Sequence, residues 1–390
     1  MNRKSFLKSS ALMAAGISLY GGCSDDNPVA STPISEEPPF PFLEVSGTHY
    51  EVGKKIGLHF KSLIDENFRR QNVLIDAIYN LVESDPVKYY NPFYNAALEN
   101  YPDFIDELKG MADGSGSDFK KLMATNFMME IITRYRSSGN RLSTKAPHFG
   151  CSDISYSSPS KTLMAHNEDN NKAFNDLMYV ARVNIPGKPS FIGVNYPGLI
   201  FGIPPTMNEA GIVTTGNYIG PTHVNDGIPW SFLARAVMEK SNLSDAVAAL
   251  KNPNVALAEH YQVGSFSENK IVSVEYCNDI NESKDLSGFY VHTNHLILPS
   301  MKDIPQDLDS TTIARFNVLT SYANEYENKI GEVDPDKMIS WLSNHEGYPH
   351  SLCAHGDAAT IVSTVFDFQD KSWRLYRGNP CLGHYKTIRM

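Results

Sequence analysis

The chain has 390 residues, 42% hydrophobic and 20% charged, enough apolar sequence to bury a full core, which excludes a disordered or collagen-like polymer. Its 34 Lys and Arg against 44 Asp and Glu leave a formal charge of −10, a poor match for phosphate backbones, so no nucleic-acid partner is expected. The five cysteines, at 23, 151, 277, 353 and 381, form no CxxC pair and no zinc-type spacing, which excludes a disulfide-dense scaffold and leaves metal ligation unsupported.

In chain order, Arg3, Lys4 and Lys8 precede a short apolar stretch over 11–20 that ends in small residues. This is an export signal, too short to span a membrane. Leu19-Tyr20-Gly21-Gly22-Cys23 looks like a bacterial lipobox, although Tyr20 stands where a small aliphatic residue is usual. Residues 1–22 are then a signal peptide, and Cys23 the lipidated N-terminus of a protein anchored in the bacterial envelope. Ordinary secretion, with Cys23 lost or free, is the alternative. Ser24-Asp25-Asp26 resembles an acidic tag that sends some bacterial lipoproteins to the outer-membrane surface. Residues 23–41, with Pro28, Pro33, Pro38 and Pro39, have no period and form a tether.

From Gly47 to about Tyr135 the pattern is helical. Ile75, Ile78, Tyr79 and Val82 fall on one face, and Phe119, Met123, Phe127 and Ile131 recur every fourth residue. Pro102 opens a helix carrying Phe104, Leu108 and Met111, with Gly114 and Gly116 to stop it. Residues 136–150 are polar, without period, and predict an exposed loop. Beyond Cys151 alternation predicts strands around 178–185, 271–277, 360–366 and 373–376, with helices over 232–240 and over 244–251, the latter with a Ser N-cap. The expected class is α+β.

Several motifs fail. No G-x-S-x-G supports a serine hydrolase. His345-Glu346 with His350 and His355 has HExxxH spacing, and Gly347 and Pro349 break the helix a zinc motif needs, so these are loop and core histidines. Gly47, Gly53 and Gly57 lack the Lys-Ser/Thr of a phosphate loop; helix packing accounts for them. No cofactor is implied.

Cys151 lies where the polar loop passes into a strand, between Gly150 and Ser152. A preceding Gly allows a strained turn that opens its carbonyl to the thiol. Cleavage there would free an α-amine of pKa about 7.7–8.0 beside its own nucleophile. Taken alone, Gly-Cys is a weak signal, and a buried structural cysteine is the better reading.

The surrounding segments decide between these. They are GTHYEVGKKIG (47–57), PDFIDELKGMADGSG (102–116), GCS (150–152), AHNED (165–169), TMNEAGIVTTGN (206–217), GIPWSFLARAVME (227–239), HTNH (292–295), ARF (314–316) and GNP (378–380). Over most of residues 42–390 the sequence resembles the acyl-coenzyme A:6-aminopenicillanic acid acyltransferase family of N-terminal-nucleophile hydrolases, and more distantly the choloylglycine hydrolases.

The resemblance implies a four-layer αββα sandwich and cleavage at Gly150-Cys151 into a helix-rich segment, 42–150, and a catalytic core, 151–390, that stay associated. It also implies roles. Cys151 matches the nucleophile and Asp169 the carboxylate that holds the new α-amine, though a turn Asp is the plain alternative. Asn294 and Asn217 match the oxyanion donors, with strand-end and turn amides as their alternatives. Arg315 matches an Arg beside the nucleophile, where a surface ion pair is the other reading. His166 stands where relatives usually carry Gln or Arg, and Ser152 where Thr is frequent. His166 and Asn167 are expected to contact substrate.

The expectation is a self-processing amidohydrolase or acyltransferase acting on a linear amide of a small acylated substrate outside the cytoplasm. A non-catalytic surface lipoprotein on the same scaffold is the alternative.

Overall fold

A computed structural model describes residues 39–142 and 150–390. The expected signal peptide, Cys23 and nearly all of the tether lie outside the described residues. The tether ends earlier than expected, because Phe40 is buried and the carbonyl of Pro41 already accepts from Val180 N at 2.9 Å.

The chain enters as β1 (Phe42–Ser46) and then forms eight helices: α1 (His49–His59), α2 (Lys61–Arg70), α3 (Asn72–Ser84), α4 (Pro86–Tyr89), α5 (Asn91–Asn100), α6 (Pro102–Ser115), α7 (Phe119–Asn126) and α8 (Met128–Ser137). The helix-rich first third is as expected. A capping box starts α1, with Glu51 N donating to Thr48 Oγ1 at 3.3 Å and Thr48 N to Glu51 Oε2 at 2.8 Å. Gly53 and Gly57 do serve helix packing. A Cβ at Gly53 would sit 1.8 Å from Glu107 O, and one at Gly110 would sit 2.0 Å from Tyr50 O, so α1 and α6 cross almost backbone to backbone. Gly114 lies inside α6 for the same reason, and Gly116 alone ends that helix, in the left-handed region. The run through Phe119 and Ile131 is two helices that meet at Phe127.

After the break come β2 (Ser152–Ser157), β3 (Thr162–Asn171), β4 (Tyr179–Asn184), β5 (Phe191–Asn195), β6 (Thr206–Asn208), β7 (Ile212–Tyr218), α9 (Trp230–Val237), α10 (Leu243–Leu250), β8 (Ala258–Ser265), β9 (Lys270–Cys277), β10 (Ile280–Asp285), β11 (Gly288–His292), α11 (Ser310–Tyr326), α12 (Pro335–Leu342), β12 (Ala358–Asp367), β13 (Ser372–Arg377) and β14 (Tyr385–Ile388). The predicted strands and the two predicted helices are present. Asn242, rather than a Ser, caps α10, accepting from Asp245 N at 2.9 Å.

One sheet runs β1-β4-β5-β6-β7-β8-β9-β10 and the other β11-β2-β3-β12-β13-β14. Neighbours are antiparallel except β1 and β4. The outer face of the six-stranded sheet buries Ile154, Leu163, Val291 and Val365 against Leu319 of α11 and Met338 and Trp341 of α12. Its inner face meets the eight-stranded sheet through polar contacts: Thr215 Oγ1 donates to Asp153 Oδ1 at 2.9 Å and Asn217 Nδ2 to His292 Nδ1 at 2.9 Å. The N-terminal helices cover the far side of the larger sheet. The result is the expected α+β, four-layer αββα sandwich.

Candidate active site

Gly150-Cys151 enters the edge of the inter-sheet space just before β2. Gly150 N donates to Asp169 O at 3.1 Å, joining the segment to β3. The residues before Gly150, and with them the turn expected there, lie outside the described residues. A Cβ at Gly150 would lie 3.2 Å from Asp169 Oδ2, a tight contact, and 3.6 Å from Arg315 Nη2.

Alternation along β2 and β3 sorts the neighbouring side chains onto two faces. Outward lies Arg315, brought by α11. It donates to Cys151 O at 2.5 Å, to Ser152 Oγ at 2.8 Å and to Asn294 Oδ1 at 2.8 Å. Asp169 Oδ1 accepts from Thr360 Oγ1 at 2.6 Å. Burial pushes this carboxyl up to about 7 against the pull of Arg315 and Thr360. Asn294 Nδ2 donates to Tyr218 O at 2.9 Å and its backbone N to Thr312 Oγ1 at 2.8 Å, so Asn294 bridges both sheets and α11.

Inward, Cys151 Sγ donates to Glu168 Oε2 at 3.9 Å. That oxygen also accepts from His166 Nε2 at 3.1 Å, and His166 Nδ1 donates to Asp153 Oδ1 at 2.9 Å. Tyr196 OH donates to Glu168 Oε1 at 2.5 Å, and Asn170 Nδ2 to Tyr196 OH at 3.1 Å. Burial alone would lower the His166 pKa, but Asp153 and Glu168 outweigh it and hold the ring at about 9, an imidazolium between two carboxylates. The Cys151 thiol of the uncut chain stands well above its ordinary value, mainly through burial and then through Glu168 and Asp169.

The geometry thus brings Asp169 and Arg315 to the Gly150-Cys151 peptide bond, with Asn294 one hydrogen bond further away on Arg315. Asn217 faces the six-stranded sheet from β7, with Nδ2 on His292 and Oδ1 without a hydrogen-bond partner. The two expected substrate contacts are placed otherwise. His166 is fully buried as a structural cation. Asn167 turns away from the thiol, donating to Leu342 O and Leu352 O, each at 2.9 Å, and accepting from Ser363 at 2.6 Å. It ties β3 to the end of α12, because alternation sends residue 167 to the outer face. Glu168 and Tyr196 were not singled out in the sequence. Only the place of Glu168 beside Asp169 in AHNED could have signalled it.

Tyr196 also lines a small pocket with about 60 Å³ of free space, walled by Met128, Met129, Phe174, Leu199, Ile203 and Trp230 and by the polar Asn67, Gln71, Thr125, Asn126 and Asn170. Its Tyr196 wall is therefore one hydrogen bond from Glu168.

Among relatives, the beta-alanyl-dopamine/carcinine hydrolase of Drosophila melanogaster is 29% identical over 371 residues, 87% of this chain and 93% of the relative. Protein dcd1A of Dictyostelium discoideum is 22% identical over 335 residues, 76% of this chain and 72% of that protein. Among solved structures, a variant of the conjugated bile acid hydrolase from Clostridium perfringens matches with a TM-score of 0.43 and 14% identity, covering 58% of this chain and 89% of that one. The family model for acyl-coenzyme A:6-aminopenicillanic acid acyl-transferase matches residues 157–381, a stretch that holds Asp169, Asn217, Asn294 and Arg315 and begins just after Cys151. That match spans more than half of the sequence, and the chain belongs to this family.

Proposed function

We propose that the protein is a self-processing cysteine amidohydrolase that cleaves a linear C–N amide bond of a small acylated substrate outside the cytoplasm. Family membership supports hydrolase or acyltransferase chemistry on such substrates. The observation that carries the finer reading is the packing of one peptide bond, Gly150-Cys151, among Arg315, Asp169 and Glu168.

In the first step the Cys151 thiol gives its proton to Glu168, and sulfur attacks the Gly150 carbonyl carbon. The C–N bond breaks, the leaving nitrogen takes up a proton and becomes the α-amine of Cys151, and a thioester joins Gly150 to Sγ. Water hydrolyses the thioester, leaving a Gly150 carboxylate and a free thiol. Asp169, beside Gly150, then holds the new ammonium. In turnover the α-amine takes the thiol proton, the sulfur attacks the substrate carbonyl, and Asn294 with Asn217 stabilises the oxyanion. No charged side chain lines the pocket at Tyr196, which suits an uncharged part of the substrate. The name of the Drosophila relative points to amides such as β-alanyl-dopamine, whose aromatic amine has that character. Hydrolysis is preferred to transfer because acyl-coenzyme A is scarce outside the cytoplasm.

The test needs no substrate. Cleavage should yield residues 23–150 and 151–390, 128 and 240 of the 390 residues. Scaled from 43.4 kDa, these are about 14 and 27 kDa. Edman sequencing of the larger should read Cys-Ser-Asp-Ile-Ser. Cys151→Ala should stay whole and inactive, and Glu168→Gln should cut at least about tenfold more slowly, a typical loss for a general base. Folded wild-type protein that remains one chain for days would overturn self-processing and favour the non-catalytic lipoprotein. Anchoring rests on residues outside those described: Cys23→Ala should move the protein from the detergent phase to the aqueous phase, and a wild-type protein found only in the medium would refute the lipid.

A further inference from the structure

On the outer side of the six-stranded sheet, the loop that follows α12 folds back on itself and brings together side chains that the HExxxH spacing does not describe. His345 Nε2 and His355 Nε2 face each other at 3.0 Å, and Cys353 Sγ lies 3.3 Å from the same His355 nitrogen. All three donor atoms lie within 4.8 Å of one another. For a tetrahedral ion with bonds of about 2.0–2.1 Å to nitrogen and 2.3 Å to sulfur, donor atoms stand roughly 3.3–3.6 Å apart. The two separations at His355 fall a few tenths of an ångström inside that, and His345 and Cys353 are within 4.8 Å of each other.

The loop is held for this arrangement from both sides. Cys353 N donates to Asn344 O at 3.0 Å, Ser351 Oγ to Cys353 O at 2.8 Å, and Ala354 N to Thr360 Oγ1 at 2.9 Å. Asn379 Nδ2 donates to Ala354 O at 2.6 Å and to Cys353 Sγ at 3.4 Å, so an amide supports the sulfur in the way that outer partners support metal thiolates. Cys353 is buried while His355 is exposed, which leaves a path for an ion to enter. Cys381 Sγ is 3.5 Å from His355 Nε2, but it is disulfide-bonded and stands outside the donor set.

We infer that His345, Cys353 and His355 form a binding site for a divalent transition metal of the zinc class, with one coordination position open. Two imidazoles and a thiolate select borderline ions and reject magnesium and calcium, which take oxygen donors. The consequence reaches the candidate active site through one residue. Thr360, which accepts from Ala354 N, donates to Asp169 Oδ1 at 2.6 Å, so an ion that fixes residues 345–355 also fixes the hydroxyl that orients Asp169.

The experiment uses the full chain, stripped with a chelator and handled without oxygen and without reductant so that Cys381 stays in its disulfide, titrated with zinc and then with cobalt(II) as the spectroscopic probe. One ion per chain is expected, and cobalt should give a thiolate charge-transfer band. Cys353→Ser should lose the band, and His355→Ala should weaken binding at least about 100-fold. Asn379→Ala, which keeps all three donors, should weaken it roughly tenfold. Cys151→Ala and Cys381→Ser should keep one ion per chain, which separates this site from the Cys151, His166 and Glu168 cluster and from a set needing Cys381. Should Cys353→Ser unfold, the wild type decides: zinc should slow alkylation of Cys353 at least about tenfold. No uptake at one ion per chain, a band that survives in Cys353→Ser, loss of the ion in Cys151→Ala or Cys381→Ser, or an unprotected Cys353 would each overturn the site.

Discussion

Before any cut, Cys151 has a neutral thiol and no α-amine, and among the described residues the proton acceptor in contact with its sulfur is Glu168. Glu168 in turn is held by His166 and Tyr196. The imidazolium has a measurable consequence. The folded pKa of His166 is raised to about 9 from 6.5, so its contribution to stability is complete below about pH 6.5 and is lost as pH rises through about 9. The denaturation midpoint should therefore fall across that window. His166→Gln should lower stability at pH 6 and flatten the fall, and a variant with the wild-type slope would show that the ring is neutral. Of these residues the sequence pointed to Cys151, Asp169, Asn294 and Arg315 by resemblance. It did not reveal Glu168 or Tyr196, because a role set by a neighbour 28 residues away has no local spacing to betray it.

At the scale of elements, legibility followed periodicity. The helices with one apolar face, such as α3 and α6, and strands with alternating apolar residues, such as β4 and β9, were readable because burial on one side imposes a period. The central strand β3 was not. Its sequence TLMAHNEDNN looks like a polar loop, yet nine of its ten residues are buried, since the polar side chains are satisfied by the facing sheet and by loops on the outer side. Helix α11 was missed for the opposite reason: it is amphipathic only weakly, burying Thr311, Thr312, Arg315 and Leu319. The glycines of α1 and α6 carry a prediction at this scale. Gly53→Ala places a methyl 1.8 Å from Glu107 O, which the helices can accommodate only by moving apart. Overpacking typically costs about 1–3 kcal/mol, and backbone contact puts this case at the upper end. Chemical denaturation checks it, and a loss below about 0.5 kcal/mol would mean that the crossing is looser than described.

For the molecule as a whole, the proposed cut divides the sequence without dividing the fold. Residues before 150 supply β1, which pairs in parallel with β4 over Phe42↔Val180 to Ser46↔Asn184, so the eight-stranded sheet contains strands from both fragments. Buried polar pairs also cross the cut. Arg235 Nη2 donates to Glu107 Oε2 at 2.9 Å with both side chains fully buried, and Trp230 N donates to Glu130 Oε1 at 3.0 Å. Phe104 and Phe127 of the first part pack on Phe232 of the second. Separation would expose the helical layer's apolar face to water and break the buried Arg235–Glu107 pair, and the lost apolar burial dominates the cost. The two fragments should therefore elute together at the mass of the intact chain in size exclusion and part only in denaturant. Arg235→Met should loosen that association, because it leaves Glu107 buried without its guanidinium. Fragments of the wild type that separate in native buffer would show that the helix-rich segment is a detachable pro-region, with a core that holds its shape alone.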